Sequence, residues 1–263
     1  MLQVLISTMN QKDHSLLSKM NIQSDAVVVN QADQNSVESF EFEGNKITWI
    51  NMSSRGIGLS RTTALLHSTA DIVLFADDDM VYYDGYKNGV LDAFKEQTTA
   101  DVICFNINLV NSNKNIGGHR NNKKNKRLHT FNSMRYGACV IGARRKALLR
   151  NRLSFSLLFG GGAPFNSGED SIFIKDCIDS GLRIFSSTFF LADVDDSTSS
   201  WYNGIDDNFF IHRGAALYSA FPKMYLPIFA YYSLRLKKLD SNYTCSKIFL
   251  LMLNGKKSIK NYK

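Results

Sequence analysis

Short apolar runs recur between polar stretches through the first half of the chain: Leu2 to Ser7, Ala26 to Asn30, Ile47 to Ile50, Ile72 to Ala76 and Val102 to Ile107. Their length and β-branched, aromatic content predict strands. Between them, Ser60 to Ser68 and Tyr86 to Phe94 carry apolar residues at helical spacing, as in Leu59, Thr63 and Leu66 or Val90, Leu91 and Phe94. Strands alternating with helices predict an α/β fold built on a mostly parallel sheet covered by helices on both faces. A polar stretch from Asn111 to Thr130, with Gly117-Gly118-His119-Arg120 and Lys123 to Arg127, predicts a loop. It reads either as a surface insertion or as a lid. An apolar run at Tyr136–Ile141 and a basic amphipathic segment at Ala143–Arg152 follow, with no internal repeat and no Pro- or Gly-rich linker.

Composition bounds this picture without changing it. At 263 residues, 44% hydrophobic and 21% charged, the chain is long enough for one large domain and an appendage. Cys104, Cys139, Cys177 and Cys245 are widely spaced and form no Cys-x-x-Cys pair, which reads as a reducing cytoplasm. The N-terminus enters Val4-Leu5-Ile6 at once without a basic or cleavable leader, and no 18-residue charge-free apolar stretch predicts a membrane span.

Charge changes it more. The net charge is +7, and it is concentrated at the C-terminal end: Lys223, Arg235, Lys237, Lys238, Lys247, Lys256, Lys257, Lys260 and Lys263 face Asp240 alone. Such a patch attracts polyanions. Its charges are interleaved with Met224 to Tyr232 and Ile248 to Leu253, bulky apolar groups too short to span a bilayer, which favours an anionic membrane surface over nucleic acid. The competing expectation is a C-terminal helical hairpin packed on the core with a solvated basic face.

Candidate chemistry lies at two places. Asp77-Asp78-Asp79 follows the buried run Ile72–Ala76, so a strand delivers a block of negative charge to its C-terminal edge, where ligands of open α/β sheets bind. Adjacent carboxylates repel, and a divalent cation relieves them: Mn²⁺ or Mg²⁺ takes one or two carboxylates and completes its shell with water and phosphate oxygens. An acidic turn at the start of the helix near Tyr83 would need Asp84 alone. The second place is Phe159-Gly160-Gly161-Gly162-Ala163-Pro164-Phe165-Asn166-Ser167-Gly168-Glu169-Asp170, ahead of a helical pattern. Its glycines allow a backbone close to a ligand, and Glu169 and Asp170 read as helix-capping acids or as a general base.

Taken in order, these motifs resemble the family 2 glycosyltransferases, inverting enzymes of the GT-A fold, in particular bacterial members that build capsule and O-antigen polysaccharides. The resemblance runs from residue 1 to about 212. Thr8 and Asn10 in Ile6–Asn10 match the end of the family's first strand. Gly58-Leu59-Ser60-Arg61 matches the helix before the metal strand, with Thr62 where Asn is usual. Asp77-x-Asp79 matches the Asp-x-Asp motif, and Glu169-Asp170 matches the Glu-Asp motif.

The resemblance implies a GT-A domain over 1–212, with a nucleotide-sugar half at 1–110 and an acceptor half at 111–212, and a helical, membrane-associating segment over 213–263. Asp79 and Asp77 are implied as metal ligands with Mn²⁺ or Mg²⁺ as cofactor, Asp170 as the base and Glu169 as its orienting partner. Thr8, Asn10, Asn30, Gln31, Arg61, Asp77 and Asp78 are implied at a nucleoside-diphosphate sugar, with UDP as the expected nucleotide. Asn30-Gln31 stand where the family carries paired aspartates, and their amides can serve a uracil edge. Gly161, Gly162 and Trp201 fall at a saccharide acceptor expected to be lipid-linked, and His212 is a candidate late metal ligand, although a lone histidine is more often structural or at the surface. The Gln-x-x-Arg-Trp motif of processive synthases is absent, which points to single addition. The expected setting is the cytoplasm, peripheral on the inner face of the plasma membrane, in surface polysaccharide biosynthesis. A metal-dependent nucleotidyltransferase and a non-catalytic docking component remain the alternatives, although Ser7–Gln11 is not a phosphate loop and a scaffold would need neither acidic motif.

Overall fold

The computed structural model describes residues 1–110, 120–195, 204–238 and 242–262. Its centre is one mixed sheet. The strands are β1 (Leu2–Met9), β2 (Asp25–Gln31), β3 (Ser36–Phe42), β4 (Asn45–Met52), β5 (Ile72–Asp77), β6 (Met80–Tyr82), β7 (Val102–Val110), β8 (Lys126–Arg127), β9 (Ile141–Arg144) and β10 (Ile184–Asp195). The helices are α1 (Ser15–Lys19), α2 (Ile57–His67), α3 (Tyr86–Glu96), α4 (Thr130–Ser133), α5 (Arg145–Arg150), α6 (Glu169–Asp179), α7 (Asp207–Ala220), α8 (Tyr225–Leu236) and α9 (Cys245–Lys260).

The strand order is β3-β4-β2-β1-β5-β9-β7-β10-β6, with β8 on β10. The expected parallel arrangement holds for β4-β2-β1-β5 and for β7-β10. These inner strands are continuously apolar because helices bury both faces: Val4, Leu5, Ile6, Val27, Val28, Val73, Leu74 and Phe75 have no exposed surface. The sheet is mixed because β9 runs antiparallel to both β5 and β7.

One edge of the sheet escapes the hydrophobic pattern. β3 is largely exposed and pairs with β4 through the two-residue turn Glu43-Gly44, with φ of 48° and 75°. Positive φ at both positions matches the twist of a tight hairpin, and glycine takes the second without strain.

Register places the chemistry. Ser7 lies opposite Asp77, so the ends of β1 and β5 open side by side onto one edge. The chain turns over Asp78-Asp79 into β6, which pairs back to β10 from Met80 opposite Val194. The Asp195 amide donates to the Asp79 carbonyl at 3.3 Å and pins that turn. Asp84 accepts from the side chains of Asn21 and Gln23, and α3 starts later, at Tyr86, after Gly85 in the left-handed region.

The C-terminal helices pack rather than trail. Phe210, Leu217, Phe229, Leu236, Ile248, Leu251 and Met252 form their own apolar cluster. α7 and α9 cross at backbone contact: a Cβ on Gly255 would stand 1.9 Å from the Ile211 carbonyl oxygen, and one on Gly214 would stand 2.4 Å from Met252 Cα. A further cluster joins Phe159 and Phe165 of the glycine-rich loop to Ile172 of α6, Ala215, Ala216 and Ala220 of α7, and Ile259 of α9. The boundary expected between residues 212 and 213 therefore falls inside the continuous helix α7, which holds the C-terminal hairpin against the loop ahead of Glu169.

Candidate active site

α2 carries Arg61 under the sheet edge, where the side chain is 4% exposed. Gly56 precedes the helix at φ 133°, and Gly58 in its first turn has no room for a Cβ, which would meet the Ser156 carbonyl oxygen at 2.1 Å. This close approach brings the helix against the segment that leads to the glycine-rich loop. Three carboxylates from two other elements converge on the guanidinium. Its Nη2 donates to Asp77 Oδ1 at 2.7 Å, and its Nη1 donates to Asp170 Oδ1 at 2.8 Å and to Glu169 Oε1 at 3.2 Å. The plane also lies 5.3 Å from the Phe155 ring centroid.

The electrostatics follow from the count of charges. Burial alone would lower the Arg61 pKa, but Asp77, Asp170 and Glu169 raise it above its ordinary value, so the guanidinium is permanently charged. Three carboxylates around one cation leave negative charge in excess, and the cluster's affinity for a proton rises. Burial first, then the Glu169 and Asp77 charges, push the Asp170 pKa up to about 8 against the pull of Arg61.

The glycine-rich loop fixes the second pair of acids. Gly160, at φ 99°, lies so close to Glu169 that a Cβ would stand 2.8 Å from its Cδ. Gly168, at φ 114°, starts α6 and packs on Ala216 of α7, where a Cβ would come within 2.4 Å of the Ala216 Cβ. The Gly161 carbonyl accepts from the Ile57 amide at 2.9 Å, tying the loop to the start of α2.

These groups face a cavity of about 600 Å³. Its wall includes Ser7, Thr8, Gln31, Arg61, Asp77, Asp78, Asp79, Gly161, Glu169 and Asp170, so one opening joins the strand ends to the first turn of α6. Thr8 Oγ1 donates to Asp78 Oδ2 at 2.5 Å and accepts from Gln11 Nε2 at 2.9 Å. Gln31 reaches the wall while its Oε1 accepts from the Gly56 amide at 2.7 Å.

Other expected residues sit elsewhere. Asn30 is buried outside the cavity wall: its Oδ1 accepts from the Gln11 amide, and its Nδ2 donates to the Gln11 carbonyl and to Asn51 Oδ1. Asn10 adopts φ 57° and accepts from Arg55 at 3.2 Å. Gly162 packs on the Gly56 backbone rather than on the opening. His212 Nδ1 accepts from the Asn166 amide at 3.2 Å, and its ring meets Phe165 edge-on at 5.6 Å, which are structural contacts. Trp201 lies outside the described residues.

Among the described residues no group of three or more His, Cys, Asp or Glu side chains is arranged to hold a metal by itself. The donor set at the strand end suits a different kind of site. Asp77 and Asp79 offer carboxylate oxygens to an open cavity beside a cluster with excess negative charge, which fits a hard cation that draws most of its shell from water and phosphate.

Two cationic wall residues, Arg135 and Arg213, carry no expectation from the sequence. Arg135 donates to Asn122 Oδ1 at 2.7 Å and to Tyr136 Oη at 2.6 Å, and Tyr136 lies beneath it. Arg213 reaches the wall from α7. The hint in the sequence for Arg213 is a cation inside an apolar helical pattern, Phe209-Phe210-Ile211 before it and Ala215-Ala216-Leu217 after it.

No match was found among curated proteins. Among solved structures, residues 1–349 of S. aureus TarS superpose with a TM-score of 0.59 at 14% identity, covering 83% of this chain and 64% of that one. The same fragment in complex with UDP-GlcNAc gives a TM-score of 0.60 at 15% identity, covering 83% and 66%. The mannosyltransferase PcManGT from Pyrobaculum calidifontis, in complex with GDP-Man and Mn²⁺, gives 0.50 at 13% identity, covering 84% and 63%. This chain thus spans just under two thirds of those chains, and at such identities the likeness is one of fold, the GT-A arrangement of a mixed sheet with flanking helices. The model described as Glycosyl transferase family 2 matches residues 15–153, just over half of the chain, and the chain belongs to that family.

Proposed function

We propose that this chain transfers a sugar from a nucleoside diphosphate, UDP being the best-supported nucleotide, to a saccharide hydroxyl with inversion at the anomeric carbon. The carrying observation is Arg61, which binds Asp77 at the strand ends and Glu169 and Asp170 at the start of α6 within one cavity. Family membership and the UDP-GlcNAc complex of a protein with the same fold support the donor class.

In this reading the diphosphate lies over Thr8, Asp77, Asp78 and Asp79. Asp79 and Asp77 would hold the Mn²⁺ or Mg²⁺, which supplies positive charge opposite the leaving diphosphate. Asp170 takes the proton of the attacking hydroxyl. A pKa of about 8 suits that task, because a base works best when its pKa is near the working pH. Arg61 fixes the Asp170 carboxylate through Nη1 and shares that nitrogen with Glu169, so both acids keep their aim while only one accepts the proton.

The C-terminal hairpin has a second side, which supports a lipid-linked acceptor and a role at the inner membrane face in surface polysaccharide synthesis. On α8, Leu226, Ala230 and Leu234 follow at intervals of one turn, flanked by Pro227 and Tyr231, and all are exposed. On α9, Lys247, Leu250, Asn254 and Lys257 form an exposed stripe. No described helix is long and apolar enough to cross a membrane. Apolar side chains flanked by lysines suit an interfacial segment.

Three outcomes follow. Asp170→Asn lowers transfer by roughly 10²–10⁴-fold while calorimetry finds UDP-GlcNAc still bound, whereas Asp79→Ala removes the gain in nucleotide affinity from Mn²⁺; full turnover in Asp170→Asn excludes it as the base. Stability supplies a test without substrate. The Asp170 pKa is raised from 3.8 to about 8 in the folded chain, so the unfolded chain ionises first and stability falls as pH rises between those values. Denaturant titrations therefore find Asp170→Asn gaining on wild type from pH 5 to pH 8 by the same linkage, and a constant difference contradicts the raised pKa. For the membrane, Leu226→Ser/Leu234→Ser/Leu250→Ser weakens flotation with phosphatidylglycerol vesicles while the melting curve is kept; wild-type protein that ignores such vesicles removes this part of the reading.

A further inference from the structure

Three arginines line the cavity, and two have hydrogen-bonded side-chain partners. Arg61 is held by three carboxylates, and Arg135 by Asn122, Tyr136 and the Arg120 carbonyl. Arg213 differs. Its Nε, like that of Arg61, is buried without a hydrogen-bond partner, but unlike Arg61 it forms no ion pair with a carboxylate among the described residues. Its recorded contact is with the Phe209 ring, 5.6 Å from the centroid. Burial pulls its pKa down, and Arg235 adds a like charge nearby. A planar cation kept at a cavity wall with no ion-pair partner among the described residues is a receptor for an anion.

Its place in the fold says which substrate brings that anion. One residue before it on α7, His212 holds the Asn166 amide; three residues after it, Ala216 receives Gly168. Arg213 thus stands over the loop that ends at Glu169 and Asp170, and Glu169 is the acid whose charge it feels. The strand-end aspartates are engaged from the other side, Asp77 by Arg61 and Asp78 by Thr8. The donor diphosphate belongs with that side, and the base with the side of Arg213.

We propose that Arg213 is a specificity-determining residue that binds an anionic group, phosphate or carboxylate, carried by the acceptor saccharide. The assignment rests on the transferase reading and adds the class of acceptor. A neutral acceptor would leave the half-buried guanidinium without an ion-pair partner, whereas an acid group on the acceptor would pair with it while the attacked hydroxyl faces Asp170. Discrimination then comes from the charge-assisted pairing that a neutral acceptor cannot make.

The test uses the full chain saturated with Mg²⁺ and UDP, titrated by calorimetry with glucose 6-phosphate, glucuronate and glucose. Wild type binds at least one of the two anionic sugars about tenfold or more tightly than glucose, the worth of one charge-assisted hydrogen bond. Arg213→Gln loses that preference and Arg213→Lys keeps part of it, while UDP affinity in both variants stays within about twofold of wild type. A preference that survives in Arg213→Gln, or none in wild type, overturns the assignment. So does a loss of UDP affinity of about tenfold in both variants, which would give Arg213 to the donor diphosphate. Should wild type fail to bind UDP, the transferase reading fails instead, and the same titrations without nucleotide still decide whether Arg213 receives the anion.

Discussion

A buried guanidinium cannot be left alone. Moving such a charge out of water costs several kcal/mol, and it is tolerated only where partners of opposite charge meet it with good geometry. Arg61 satisfies that condition with three carboxylates that lie 16, 108 and 109 residues away in the chain. The rest of the site depends on this contact, because it forces the end of β5, the body of α2 and the first turn of α6 to meet at one point. It also over-supplies negative charge. An ion cluster meant only for stability would be balanced; this one raises the proton affinity of Asp170 and brings acid side chains to a cavity wall, a pattern of functional sites.

The surrounding scaffold serves that convergence through close backbone approach. Gly58 lets α2 touch the Ser156 carbonyl, Gly160 makes room for the Glu169 carboxylate, and Gly168 seats the start of α6 on α7. α7 is in turn locked to α9 through Gly214 and Gly255. The C-terminal hairpin is therefore mechanically part of the site: it backs the loop that positions the base, and it carries Arg213 into the wall.

Much of this was legible in the chain itself, where the determinants are local. The buried strands announced themselves by unbroken apolar runs, and Asp77–Asp79 and Glu169–Asp170 by acids placed at the ends of regular elements. What escaped is set by long-range geometry. The antiparallel entry of β9 depends on which sheet edge the preceding segment returns to, and the β3 hairpin is exposed and so lacks the apolar pattern. Asn30 occupies a family binding position in sequence, yet its amide is satisfied by Gln11 and Asn51, a pairing no spacing rule encodes. The basic tail left two readings, a packed hairpin and a membrane surface; the hairpin packs, and the apolar stripe on its outer side keeps the second reading open to experiment.

The account stands or falls on whether the strand end and the base feel one another through Arg61. A ¹³C-detected titration of the Asp170 carboxyl in wild type and in Asp77→Asn measures that coupling directly. Removing the Asp77 charge takes away a repulsion and frees Arg61 for Asp170, so the Asp170 pKa moves from about 8 in wild type to a clearly lower value in the variant. An Asp170 that titrates in the ordinary carboxylate range in wild type, or at the same pH in both proteins, would contradict it.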